Sequence, residues 1–183
     1  MLELIVQPVG YVDLRHVLQV SREVEKRFPV EVKAYPSMWP LQPPASAYDW
    51  ERMQYRAQDV NRWLRNNLDA LLSNGRLALG LVGADAYVPG LNFVFGLADP
   101  ELRVATVYTA RLGAGADEAK FVERLAKESI HEVGHLLGLK HCANRRCVMS
   151  FSNSLEEVDA KGADFCDECS LRLTSMYQVR RQR

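Results

Sequence analysis

Several things are scarce in this 183-residue sequence, and each absence excludes something. There is no excess of either charge: 23 Lys plus Arg stand against 23 Asp plus Glu, for a formal net charge of zero. General nucleic-acid binders and membrane-surface binders normally carry a basic surplus, so neither partner is expected. No apolar run approaches the ~20 residues that a membrane span needs. The opening MLELIVQPVG has no basic segment, and Pro8 interrupts its apolar run. It therefore does not read as a signal peptide, and the cytoplasm is the expected compartment. Repeats and low-complexity segments are missing. Histidine and cysteine are scarce at four each, so where they fall is informative. Hydrophobic content, at 48%, suits one domain with a full core.

Three of the four histidines lie within eleven residues, His131-Glu132-Val133-Gly134-His135-Leu136-Leu137-Gly138-Leu139-Lys140-His141. The pattern is H-E-x-x-H-x-x-G-x-x-H. Residues four apart share one face of a helix, so the His131 and His135 imidazoles can reach one metal ion. Glu132 projects beside them, where it can take a proton from an attacking water. Gly138 is placed to end the helix, because glycine accepts the left-handed conformation of a C-terminal cap. The chain can then turn back and deliver His141 as third ligand. Three imidazoles with an open fourth position describe a catalytic zinc site. A surface helix that merely carries histidines would leave the glycine, the third histidine and Glu132 without a reason.

Upstream, Leu2 to Val6 suits a buried first strand. Asp13 is placed to cap a helix running to about Arg27, with Leu14, Val17, Leu18, Ser21 and Val24 inside. His16, on that helix, belongs to no motif and is expected at the surface or in a local bond. Val30 to Tyr35 alternates as a half-buried strand. The proline-rich stretch from Pro36 to Ala47 reads as a stiff connector, with the rim of a cleft as the alternative. A long helix is expected from Asp49 to Leu72, with Met53, Ala57, Val60, Leu64, Leu68 and Leu71 as its apolar face. Leu77 to Val82 is a continuous apolar run, as for a strand covered on both sides. Leu91 to Leu97 and Val104 to Ala110 read as further strands, and Asp117 as the start of the metal-bearing helix. The alternation implies a mixed α+β (α/β-like) sheet with packed helices. Its sheet half spans residues 1–138, including the metal-bearing helix, and residues 139–183 wrap the other side of the metal.

The four cysteines follow at once: Cys142, Cys147, Cys166 and Cys169, with gaps of four, eighteen and two residues. C-x4-C followed by C-x2-C can enclose one tetrahedral zinc by four thiolates. Two disulfides are the competing reading, disfavoured by a reducing compartment. An iron–sulfur cluster takes the same ligands, but nothing else in the chain suggests redox chemistry. Because Cys142 follows His141 directly, clamping one positions the other. The segment from Ala143 to Asp164 reads as an irregular loop with few apolar residues, which a metal can stabilise instead. Asp167 is placed to open a last helix with Leu171, Leu173, Met176 and Val179 as apolar positions. Arg180, Arg181 and Arg183 make a basic tail that complements its C-terminus.

The histidine motif resembles that of the metzincin clan of zinc peptidases. The interleaved cysteines resemble the archaemetzincins in particular, on His131, Glu132, His135, Gly138, Cys142, Cys147, Met149, Cys166 and Cys169. The loop between Met149 and Cys166 is slightly shorter than in the family pattern. The resemblance implies a twisted mixed sheet, a methionine turn at Met149 beneath the metal, and an edge strand, placed at Asn92 to Ala98, along which substrate pairs. It implies two zinc ions per chain, one catalytic and one structural, a peptide or protein substrate, and peptide-bond hydrolysis with Glu132 as general base. A monomer is expected. The alternatives are an intact zinc site in a latent or narrow-specificity, aminopeptidase-like enzyme, and a zinc-stabilised binding module without chemistry.

Overall fold

The first strand, β1 (Leu2–Val9), is buried on both faces from its third position onward. That matches its unbroken apolar character, because a strand with parallel partners on both sides has no wet face. It pairs in parallel with β2 (Val32–Pro36) on one side and with β5 (Leu77–Val82) on the other. Between β1 and β2 runs α1 (Leu14–Arg27), capped by the Asp13 side chain, which accepts from Arg15 N. Structure is described here for residues 1–181 of a computed structural model. The side chains of Val179, Arg180 and Arg181, and all of Gln182 and Arg183, lie outside the description, so the basic tail is not placed.

The expected long helix from Asp49 begins later and is broken. Residues 48–56 instead form a two-stranded ribbon, β3 (Tyr48–Asp49) and β4 (Gln54–Arg56). The Asp49 carboxylate accepts from Glu51 N and Arg52 N, and Met53 has a left-handed φ of 56°. An Asx turn competes with helix at such a position, and Met53 ends up exposed rather than in the core. The helix is α2 (Ala57–Asn67), followed by the single turn α3 (Asp69–Leu72). Leu72 is buried there, not Leu71.

After β5 come β6 (Ala86–Tyr87), β7 (Gly96–Asp99) and β8 (Val104–Tyr108), then α4 (Thr109–Leu112) and α5 (Glu118–Leu136). The main sheet has the order β2-β1-β5-β8-β7, with β7 antiparallel on β8 as an edge. A small second sheet runs β3-β4-β6. Alternating residues split the core into two. Leu4, Val6, Leu79 and Val107 pack with α1 and α5; Ile5, Ala78, Val82 and Tyr108 pack with α2.

The strand expected from Leu91 is shorter and later. Residues 91–95 are a loop, whose first two backbone carbonyls are taken by side chains. Arg52 donates to Leu91 O and Asn92 O, and Gln54 donates to Asn92 O at 3.0 Å. The region after α5 also differs from an irregular loop, since it contains α6 (Leu155–Ala160), capped by Ser154. The last helix, α7 (Asp167–Arg181), opens where expected, yet Leu171 faces solvent, while Cys169 and Leu173 are buried. Among the described residues, no helix is long and apolar enough to cross a membrane.

Candidate metal centre

The C-terminus of α5 closes as its sequence predicts. Gly138 has φ 102°, Gly138 N donates to His135 O, and Leu139 N donates to Gly134 O at 3.0 Å. This double bond pattern is the Schellman motif, which reverses the chain and satisfies the last carbonyls. It also brings His141 back over the helix. His131, His135 and His141 then present their ring nitrogens as one group, with donor atoms within 4.8 Å of one another.

Two of these rings have fixed tautomers. His131 Nδ1 lies 2.8 Å from Val148 O, and His135 Nδ1 lies 2.8 Å from Leu139 O. A carbonyl only accepts, so each Nδ1 carries the proton and each Nε2 is a bare lone pair. Those two Nε2 atoms face each other at 3.0 Å. Facing lone pairs repel unless a cation lies between them. Zinc bonded to nitrogen at about 2.0–2.1 Å in a tetrahedron sets neighbouring nitrogens ~3.3 Å apart, so the donor set fits that ion. Burial, then the Lys161 charge, holds His131 well below its ordinary pKa, and burial likewise lowers His135 and His141. Neutral imidazole is the ligand form.

Glu132 faces the same space. Burial, reinforced by the nearby Glu128 carboxylate, pushes its carboxyl well above the usual range. Its side chain lies against Gly96 of β7, where an added Cβ would stand 2.5 Å from Glu132 Cγ. Met149 is fully buried below α5, and a Cβ on Gly134 would stand 2.5 Å from its sulfur. The methionine therefore packs close under the histidine turn because residue 134 has no side chain. Phe151 stacks edge-on against His141 at 5.0 Å.

A cleft of 480 Å³ opens beside the histidines, walled by Gly96–Ala98, Phe93 and Phe95 on one side and by Phe151–Asn153 on the other. No residue of the Pro36–Ala47 connector lines it, in keeping with a structural role for that stretch. Tyr108 N donates to Phe95 O, which sets the alternation of the β7 edge. Leu97 and Asp99 then face β8, and Gly96 and Ala98 turn their N–H and C=O outward. Gly96 falls within the expected Asn92–Ala98 edge strand, but its contact with Glu132 is not foreseen from the sequence, and neither is the place of Phe151. A glycine within an apolar strand is the one signal for the former.

The four cysteines also converge, with sulfurs within 4.8 Å of one another. Cys142 Sγ and Cys166 Sγ are 3.8 Å apart. Zinc–sulfur bonds of ~2.3 Å in a tetrahedron require about that separation. Met149 N and Cys166 N both point at Cys147 Sγ, at 3.4 and 3.3 Å. Donors aimed at sulfur suit a thiolate. Burial raises the Cys147 and Cys169 thiols, so a cation is what would release their protons.

His16, outside both groups, pairs with Glu118 at 2.8 Å and packs edge-on against Phe121.

Comparison with known proteins agrees with this geometry. The profile of Peptidase family M54 matches residues 14–175. The archaemetzincin of Aeropyrum pernix is 47% identical over 180 residues, covering 96% of this chain and 94% of its own. The crystal structure of the Methanopyrus kandleri archaemetzincin superposes with a TM-score of 0.78 at 36% identity, covering 97% of this chain and 96% of that one. A zinc-dependent peptidase from Methanocorpusculum labreanum gives 0.78 at 30% identity, covering 94% of this chain and all of that one. With the motif, the fold and near full-length relatives in agreement, the chain belongs to peptidase family M54, the archaemetzincins, a family of zinc metallopeptidases.

Proposed function

We propose that the chain hydrolyses peptide bonds at the cleft between β7 and the segment after His141. His131, His135 and His141 hold a catalytic zinc, and Cys142, Cys147, Cys166 and Cys169 hold a second, structural one, two per chain. The single observation behind this reading is the pair of bare Nε2 atoms facing each other at 3.0 Å beside an open cleft. A zinc ion there would supply Lewis acidity to a peptide carbonyl and to an attacking water.

The protein supplies the rest. The outward N–H and C=O groups of Gly96 and Ala98 pair with an extended peptide as an added strand. That holds one carbonyl over the histidines. Glu132, lining the cleft beside the histidines, takes the proton of the attacking water and returns it to the leaving amine. Met149 forms an apolar floor and bonds to nothing in the reaction. A peptide substrate and no nucleic-acid or membrane partner complete the reading.

The narrow-specificity alternative has one observation in its favour: the cleft lining includes Glu128, a buried carboxylate paired with Lys161, as well as apolar walls. The deciding experiment is cleavage of a mixed peptide library by zinc-loaded protein, with Glu132→Ala as control. Cutting by the wild type alone supports the peptidase. Cutting by both would remove Glu132 from the mechanism. Cutting by neither, with two zinc ions bound, favours latency or a narrow substrate.

A further inference from the structure

The cleft has a polar end that neither the metal site nor the substrate strand explains. Glu128 precedes Glu132 by one helical turn, so both project from the same face of α5. Its side chain is only 4% exposed, yet it lines the cleft. Lys161 Nζ, 1% exposed, lies 2.8 Å from Glu128 Oε1 and also donates to Ser150 O at 3.3 Å. Among the described residues that ammonium is the one partner of Oε1. Ser152 Oγ, on the other wall, is buried and has no partner among the described residues. A carboxylate has roughly four acceptor sites, and one ammonium does not fill them. Leaving such capacity buried and unused is unfavourable unless a ligand completes it.

Leu91, Phe93 and Phe151 also line the cleft, and since Leu91 and Phe151 are exposed while Glu128 is buried, its outer part is apolar and its inner part polar. A side chain with an aliphatic stem and a cationic, multi-donor tip matches that gradient. The stem covers the aromatic walls and the tip reaches Glu128 and Ser152. An acidic side chain would meet two carboxylates, Glu128 and Glu132. A purely apolar one would leave the Ser152 hydroxyl and the spare acceptor sites of Glu128 unpaired, which discriminates against it.

We propose that Glu128 is the specificity-determining residue of this cleft, and that its subsite takes a lysine or arginine side chain flanking the scissile bond. The subsite rests on the peptidase reading for its reaction, but not for its binding. Glu128 acts on which peptide is held, and the hydrolytic step stays with Glu132.

The test compares peptides that differ in one residue, placed in turn on each side of a single cleavable bond: lysine, norleucine or glutamate. Wild-type zinc-loaded protein is expected to favour lysine over norleucine in kcat/KM by about tenfold or more at one of the two positions. Glu128→Gln, close in shape, should shrink that ratio to about twofold or less. Lys161→Met should widen it, since the substrate cation becomes the only counter-charge. Equilibrium binding of the same peptides to Glu132→Ala protein supplies a readout free of turnover. Lysine preference in binding that disappears with Glu128→Gln supports the subsite even if no peptide is cut, in which case the peptidase reading alone fails. Efficient cleavage with no basic preference overturns the subsite and leaves the peptidase intact. A Glu128→Gln protein that melts lower but keeps the wild-type ratio also overturns it, because Glu128 would then serve only to hold Lys161.

Discussion

His141 and Cys142 are neighbours in sequence, yet each joins a different cluster, and the two clusters are built in opposite ways. The histidine group owes two of its three donors to one helix turn and faces an open cleft. The cysteine group draws on two separated stretches and is wrapped by backbone, with amides aimed at one sulfur. The first arrangement leaves room for a substrate; the second spends every donor on closure. Second partners differ as well. The histidines are steered by carbonyls of Val148 and Leu139, which fix tautomers, while the sulfurs receive N–H groups, which favour thiolate. On the proposed reading a reactive site and a staple share one short segment, and Cys142 N donating to Met149 O ties the two clusters together.

If that division of labour is right, damage to the open site should abolish turnover and spare the fold. Glu132→Ala is expected to lower kcat by about 10²–10⁴-fold with metal content and melting temperature within error of wild type. Elemental analysis and calorimetry beside the peptide assay check this, and loss of metal would blur the comparison. Damage to the staple should do the reverse. Cys166→Ala is expected to lose one of two metal ions and several kcal/mol, roughly 10 °C in Tm for a chain of this size. If the variant melts like wild type with unchanged metal, the cysteine group is not a structural site.

A finer test addresses the side of the open site that strand β7 forms. At Gly96 an added Cβ would meet Glu132 Cγ at 2.5 Å and its Oε1 at 2.6 Å. Gly96→Ala should displace the carboxylate by a few tenths of an ångström to an ångström and lower kcat/KM by about tenfold to a hundredfold. Metal content and Tm should hardly change. Undiminished activity would mean that Glu132 has another productive position.

How much of this could be read beforehand follows the same contrast. The histidine cluster was legible because its donors are set by helix periodicity and a glycine cap, which are local rules. The caps of α1 and α5 at Asp13 and Asp117 followed for the same reason. The cysteine spacing indicated a cluster but not its packing. Failures occurred where distant side chains override local pattern. Arg52 and Gln54 capture the carbonyls of Leu91 and Asn92, so an apolar run that reads as strand becomes a loop. The ribbon at residues 48–56 depends on Asp49 turning the chain and on Met53 accepting φ 56°, which helix-like spacing hides. Glu128 and Gly96 look like ordinary helix and strand residues until the cleft forms around them.

The helix α6 shows why residues 143–164 do not depend on sulfur alone, and this gives the smallest of the expected effects. Arg124 of α5 grips the Asp159 carboxylate with two bonds of 2.8 Å, and Lys127 donates to Val158 O and Asp159 O at the helix end. The Arg124 bonds foremost, and then the Lys120 ammonium at 3.1 Å, hold the Asp159 carboxyl down to about 2, against 3.8 for the free group. A carboxyl depressed on folding stabilises the native state above its unfolded pKa and stops doing so as pH falls through the folded one. The contribution is therefore complete above pH ~4 and lost towards pH ~2. Asp159 is 29% exposed, so solvent screens part of it. Asp159→Asn should lower stability at neutral pH by about 1–2 kcal/mol, or a few degrees in Tm. The difference from wild type should vanish in acid, with both metal ions retained at neutral pH. Loss of the cysteine-bound metal from this variant would show that the ion pairs and the sulfurs close one unit rather than two.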